Sequence, residues 1–480
     1  ADSPNPPPTT REAVHGWRTQ DPGGNSLCCG VASQSCAAGT QPHQENGTHP
    51  VGGQTYCMAN TAPLFFGAVH LAWQRLHADT GELQIGDSTG VGGPTATSFG
   101  WAWAKHFRPD RWAGFGGNYF GGGIWGVGYF TNRTWCTVSQ PASRTGPNSL
   151  TGWTGWGSHG TGYSSGLIAT YNGGVVDPDF NAYWTRVTEF DFNPANLPNP
   201  TVFDGQALTF NHLIYAHSQG PSSYQLRVRD GTVGTTKLGE SLAQSAFAAT
   251  GIDGPAFRTN TVTASAQTWS TLKCSLSIQS TPNQTTSSGE TIVTVTANVR
   301  CGNGYRPMNF GIGGNWLDDF TDESAYSDAC WTAIIACGDI SIVRINLGIN
   351  GSGIVSKATY KSGLRTFMNR LRAIKPGIGF ILAASHETSN AGAISEYVDA
   401  QYELTQESPS DTLFLNIYRL CYGEETTPYT QVNPRLLSDG THPTQTGYSY
   451  KAIVEELLTE QAAQEASRAM VIGARGVFIR

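Results

Sequence analysis

From Met308 onward, apolar runs alternate with amphipathic stretches, and this alternation restricts the fold more than any other feature of the chain. SIVRINLG, IGFILAAS and DTLFLNIY are nearly continuous apolar runs, the pattern of strands buried on both faces. Around them, YKSGLRTFMNRLRAI, ISEYVDAQYELTQ and GYSYKAIVEELLTEQAAQEAS carry apolar residues at helical spacing. Parallel strands need crossover connections of this length, so the pattern predicts an α/β fold: three layers, with a parallel sheet covered by helices on both faces. Ligands in such sheets lie beyond the carboxyl ends of the strands. The polar residues that follow each strand are therefore the ones to inspect.

The middle of the chain reads differently. Between about Arg111 and Arg300 no amphipathic helix is evident, and YWTRVTEFDF, ALTFNHLIYAH, YQLRVRDG and ETIVTVTANVRC alternate between Gly-, Pro-, Asn- and Asp-rich breaks. Short alternating strands with such turns predict a β-sandwich, jelly-roll-like, inserted into the α/β domain. Residues 1–61 form a Pro-, Gly- and Cys-rich arm with little hydrophobic period, either a tether or a disulfide-stapled cap. The expected organisation is an arm over 1–61, a first part of the α/β domain over 62–110, the insertion over 111–304 and a second part of the α/β domain over 305–480. FFGAVHLAW holds the first regular element, and TATSFGWAWAKHF a helix after the next strand.

Three residues carry the chemistry. The segment IGDSTG places Ser88 directly after the apolar stretch Leu83 to Ile85, and SDGTHPTQTGY places Asp439 three residues before His442 in a turn that leads into a helix. A serine hydroxyl is a poor nucleophile at neutral pH and needs a base, which a third group must orient. Ser88, His442 and Asp439 supply that set. The bland alternatives are a turn serine and a surface histidine beside a proline.

These segments resemble the signature blocks of the SGNH hydrolases, the GDSL-type lipases and esterases. Gly86, Asp87 and Ser88 match the nucleophile block. MNFGIGGNWLDDF is similar to the block whose glycine N–H serves the oxyanion hole, with Gly314 the first choice and Gly313 the second. SIVRINLGING matches the Gly-x-Asn block through Gly348 and Asn350, and Asp439 with His442 matches the last. All four stand in the family's order. The resemblance implies a Ser88, Asp439, His442 triad and an oxyanion hole made by Ser88 N–H, Gly314 N–H and the Asn350 side chain, with neither cofactor nor metal. Two departures stand out. Gly351 replaces the Asp that usually follows the asparagine, and more than two hundred residues separate Ser88 from Gly314 where the family usually has a few tens. GDSTG also fits the Gly-x-Ser-x-Gly elbow of α/β-hydrolases, but the adjacent Asp-x-x-His pair and the two other blocks favour the first family.

Composition narrows the partners. Charged residues make up 14% of the 480 and the net charge is −7, with no basic face to bind phosphates, so nucleic acid is not an expected partner. No apolar run approaches a membrane span, and the start at Ala1 lacks a basic-then-apolar leader. Ten cysteines favour an extracellular or virion setting with some disulfides. Cys36, His43, His49 and Cys57 match no zinc spacing.

Trp101, Trp103, Trp112, Trp125, Trp135, Trp153 and Trp156 crowd one Gly-rich stretch, for burial in most cases, although one or two left exposed would make a sugar platform. His386, at a strand end, lines the cleft or is an ordinary loop residue; Asp318 and Asp319 flank or cap a helix. Family members with insertions include deacetylases of phage tails and virus surfaces. The expectation is thus an O-acyl, foremost O-acetyl, esterase acting on polysaccharide, extracellular or virion-attached, homo-oligomeric in the latter case. The competing expectation is a receptor-binding or structural virion protein on a hydrolase scaffold.

Overall fold

The computed structural model describes residues 62–90, 99–118, 199–216, 256–271, 290–311, 314–323, 326–386, 388, 391–420 and 437–476, with strand segments at 138–139, 153–154, 167–171, 185–192, 224–230, 236–240 and 274–280. The 1–61 arm with its cysteines and histidines lies outside the described residues, as do Gly313, Trp125, Trp135, Trp156, Cys136 and Cys421.

The chain begins with β1 (Phe65–Gly67), α1 (Val69–His77), β2 (Thr80–Gly86), α2 (Phe99–His106) and β3 (Gly114–Asn118). In the insertion the described residues form antiparallel strands β4 (Val138–Ser139), β5 (Trp153–Thr154), β6 (Leu167–Tyr171), β7 (Thr185–Phe192), β8 (Leu208–Ala216), β9 (Tyr224–Asp230), β10 (Thr236–Glu240), β11 (Ala256–Ala264), β12 (Cys274–Ser280) and β13 (Glu290–Arg300). The chain then returns to alternation with β14 (Tyr305–Gly311), α3 (Leu317–Thr321), α4 (Asp328–Gly338), β15 (Ile340–Asn346), α5 (Lys357–Ile374), β16 (Gly379–Ala383), α6 (Ala391–Glu407), β17 (Thr412–Leu415), α7 (Ile417–Leu420) and α8 (Gln445–Gly476).

Strands β17, β16, β15, β2, β14 and β3 run parallel in that order, and β15, β16 and β17 are the three strands that the apolar runs predict. Side chains divide by alternation: Leu83, Ile85, Val343 and Ile345 enter the apolar cluster shared with Trp331, Leu364 and Phe367, whereas Ile342, Ile381 and Leu413 pack with Leu71, Trp103, Val454 and Leu458. Helix α4 was not evident in DACWTAIIACG, because its apolar residues surround the helix instead of forming a stripe. Ser327 caps it, accepting from Cys330 N at 3.2 Å.

The insertion is not a separate sandwich with two sheets of its own. β3 pairs with β14 in parallel and with β13 in antiparallel, and β13 pairs in turn with β6 and β8, so one 12-stranded sheet runs from the α/β layer into the insertion. The other inserted strands form a five-stranded sheet in the order β10-β9-β12-β7-β4. Without β3, β14 would present an unpaired edge. Trp103 and Trp112, the two of the seven tryptophans whose side chains are described, are buried. Cys301, Cys330 and Cys337 are buried free thiols. No helix among the described residues is long and apolar enough to cross a membrane.

Candidate active site

Three neighbouring strands end on one rung. Gly86 of β2 stands opposite Gly311 of β14 and Asn346 of β15. Ser88, Gly314 and Asn350 follow these positions by two, three and four residues, so all three leave the same edge of the sheet.

The Gly86-Asp87-Ser88 turn is held largely by the side chains of Asp87, Thr89 and Asn309. Asp87 is fully buried, and its Oδ1 accepts from Thr89 N at 2.9 Å and Thr89 Oγ1 at 2.8 Å. Gly90 N donates to Asp87 O at 2.9 Å, and Asn309 Nδ2 of β14 donates to Gly90 O at 2.9 Å. Burial pushes the Asp87 carboxyl above its ordinary pKa, against the pull of the Thr89 hydrogen bonds and the Lys451 charge. Asp87 therefore shapes the turn and leaves Ser88 at the surface end of the strand.

Gly314 has φ +81°, a conformation that favours glycine. Gly348 has φ +143°, and a Cβ there would meet Tyr397 Cδ2 at 3.1 Å. Asn350 Nδ2 donates to Asn315 O at 2.8 Å, which ties the loop after β15 to the loop after β14 and leaves the second amide hydrogen for another acceptor. At Gly351, where the resemblance leads to an Asp, a Cβ would lie 3.3 Å from Trp316 Cε3 and press on that ring. Asp319 caps α3, its Oδ2 accepting from Trp316 N at 2.8 Å.

His442 and Asp439 come from the turn before α8. The Ser88 hydroxyl donates to His442 Nε2 at 2.9 Å, and His442 Nδ1–H donates to Asp439 Oδ2 at 2.8 Å. Asp439 Oδ1 also accepts from His442 N at 2.7 Å and Thr441 N at 3.0 Å. These bonds, led by that from the His442 backbone, bring the Asp439 pKa down to about 2. The ring is thus held in the tautomer that leaves Nε2 free to accept the serine proton.

Beneath this edge lies a buried ionic network that the sequence did not announce. Arg75 of α1 donates to Glu82 at 2.6 and 2.7 Å and to Glu455 at 3.0 Å, while Arg344 of β15 donates to both Glu455 oxygens at 2.6 and 2.5 Å. All four side chains are at most 1% exposed. Burial disfavours the Glu455 charge, but Arg344 and Arg75 outweigh it and hold its pKa below the ordinary value. The network joins β2, which Ser88 follows, to α8, which follows His442. Its signal in sequence is weak: a Glu and a Gln, Glu82 and Gln84, interrupt an otherwise apolar strand.

The structure brings together Ser88, His442 and Asp439, and places Gly314 and Asn350 on the same edge. His386 is fully buried behind the Asp439–His442 turn instead of lining the cleft. No group of His, Cys, Asp or Glu suited to a metal ion occurs among the described residues.

No family profile and no curated protein matches this sequence. Among solved structures, one described as "Peptidoglycan O-acetylesterase in action, 5 min" is similar with a TM-score of 0.51 at 12% identity, over 83% of this chain and 95% of that one. An acetyl esterase mutant with acetate ion matches at TM-score 0.27 and 19% identity, over 34% of this chain and 76% of its own. A carbohydrate esterase of family 3 from Talaromyces cellulolyticus gives 0.27 and 18%, over 35% and 76%. With its parallel sheet, its Gly-Asp-Ser turn and the first of these likenesses, the chain has the fold of the SGNH hydrolase superfamily.

Proposed function

We propose that the protein is a serine esterase that removes O-acyl groups, foremost O-acetyl, from a carbohydrate polymer. The observation that carries this reading is the unbroken relay from Ser88 Oγ to His442 Nε2 at 2.9 Å and from His442 Nδ1 to Asp439 at 2.8 Å. His442 takes the Ser88 proton as Oγ attacks the ester carbonyl, and the oxyanion is received by Ser88 N–H, Gly314 N–H and the second Asn350 amide hydrogen. Collapse passes that proton to the departing sugar hydroxyl and leaves an acyl-serine. Water, deprotonated by His442, then releases the carboxylic acid and restores Ser88.

The polymer substrate rests on two supports. The likeness to the peptidoglycan O-acetylesterase extends over 83% of the chain, beyond the α/β part, and the inserted strands are hydrogen-bonded to the catalytic sheet through β3 and β13. In this reading residues 111–304 form a polymer-holding unit, 62–110 and 305–480 the hydrolase, and 1–61 an attachment arm of an extracellular or virion-borne enzyme. Acetate release from O-acetylated bacterial polysaccharides tests it, with a small acetyl ester in parallel. Release from both, lost in Ser88→Ala, is expected. Hydrolysis of the small ester alone would remove the polymer assignment, and no hydrolysis of either would favour a binding protein on a hydrolase scaffold.

A further inference from the structure

We propose that His386 is a positioning residue for the candidate catalytic turn: by holding the Thr441 carbonyl it fixes where His442 stands relative to Ser88. This rests on the esterase reading above.

The turn from Ser438 to His442 is exposed, with the side chains of His442 and Asp439 41% and 55% accessible. Several of its hydrogen bonds are internal: Ser438 N and Oγ donate to His442 O at 2.8 and 3.0 Å, and Thr441 N and His442 N donate to Asp439. They shape the turn, but bonds among five consecutive residues do not set its height above the sheet. The bond from His386 does so. His386 lies three residues beyond the end of β16, is fully buried, and its Nε2 is 2.9 Å from Thr441 O. A carbonyl only accepts, so Nε2 carries the proton. Burial, with the nearby Lys451 charge, brings the ring pKa down to about 3, and the imidazole stays neutral at working pH.

The support of His386 is itself braced. Ala384 N donates to Leu415 O at 3.0 Å, Asn346 Nδ2 donates to Ala383 O at 2.7 Å, and Lys451 Nζ of α8 donates to Asn346 Oδ1 at 2.7 Å. The ends of β15, β16 and β17 are thus locked to the helix that follows His442. A bond from that floor to Thr441 transfers its rigidity to the next residue, His442. Misplacing a reacting group by about 1 Å costs on the order of 10²-fold in rate.

The test compares His386→Gln, whose amide nitrogen reaches the place of Nε2, with His386→Asn, whose amide falls short. Both are made in the full chain and assayed on a small acetyl ester, with rates counted per active site titrated. His386→Gln is expected within about 3-fold of the parent kcat, and His386→Asn to fall by about 10- to 100-fold with KM nearly unchanged. In a His442→Ala background His386→Asn is expected to cause no further loss, since it acts through that residue. Equal kcat in the two variants, whether high or low, would overturn the proposal, as would the same fold-loss with and without His442. Parent activity that vanishes in Ser88→Ala establishes the esterase reading separately, so the two failures are distinguishable.

Discussion

Lowering the pH from 7 to 5 should cost the folded protein about 4 kcal/mol through two buried histidines. His212 on β8 is 1% exposed and burial alone brings its pKa down to about 3, the value to which burial and Lys451 bring His386. Unfolded, each ring titrates at about 6.5. Between these values the unfolded chain binds protons that the folded chain refuses, so stability falls as pH falls through 6.5. At pH 5 the unfolded ring has gained about 1.5 pH units of protonation at about 1.36 kcal/mol per unit, or about 2 kcal/mol for each histidine. His106, brought to about 4 by burial and Lys105, is less enclosed and adds a smaller amount. Ordinary carboxylates titrate below about 4.5 and hardly contribute in this window. Urea unfolding followed by circular dichroism at pH 7, 6 and 5 measures the loss, and His386→Gln should remove about half of it. Stability that is level from pH 7 to 5, or an undiminished slope in His386→Gln, would refute the reasoning.

Asn350→Ala should lower kcat by about 10²- to 10³-fold with little change in KM, because the amide meets charge that develops only in the transition state; steady-state kinetics on an acetyl ester checks this. Asp439→Asn should lower kcat by about 10⁴-fold with the fold intact, since the ring loses its orienting charge and tautomer; kinetics and circular dichroism together show it. Glu455→Gln should destabilise the protein by about 3–5 kcal/mol, because it removes the carboxylate that pairs with the buried Arg344 and leaves Arg75 paired with Glu82. Denaturant midpoints give the value.

The parallel sheet was legible because its strands are buried on both faces, which makes SIVRINLG and IGFILAAS continuous apolar runs. Helices α5, α6 and α8 were legible from their spacing, and α4 was not, because Ala329, Ala333 and Ala336 put apolar residues on its outer face and blur the stripe. The strand content of the insertion could be read from alternation in YWTRVTEFDF and ETIVTVTANVRC. Its attachment could not: the pairing of β3 with both β14 and β13 is a contact between distant segments, and GFGGN has no side-chain pattern that marks a strand. The candidate triad stood out because two local signals, a Gly-Asp-Ser turn and an Asp-x-x-His turn, report short-range geometry. The network of Arg75, Glu82, Arg344 and Glu455 gave only a weak signal, since Arg75 and Glu82 are seven residues apart but on different elements, and Glu455 lies 380 and 111 residues from its two arginines. His386 looked like a loop histidine for the same reason, as its partner Thr441 comes from another turn.

Mass spectrometry of the enzyme quenched during turnover of an acetyl ester tests the central claim most directly. The account predicts one acetyl group on the peptide that contains Ser88, formed on the catalytic timescale, accumulating in His442→Ala relative to its own turnover and absent in Ser88→Ala. An acetyl group on any other residue, or full turnover by Ser88→Ala, would contradict it.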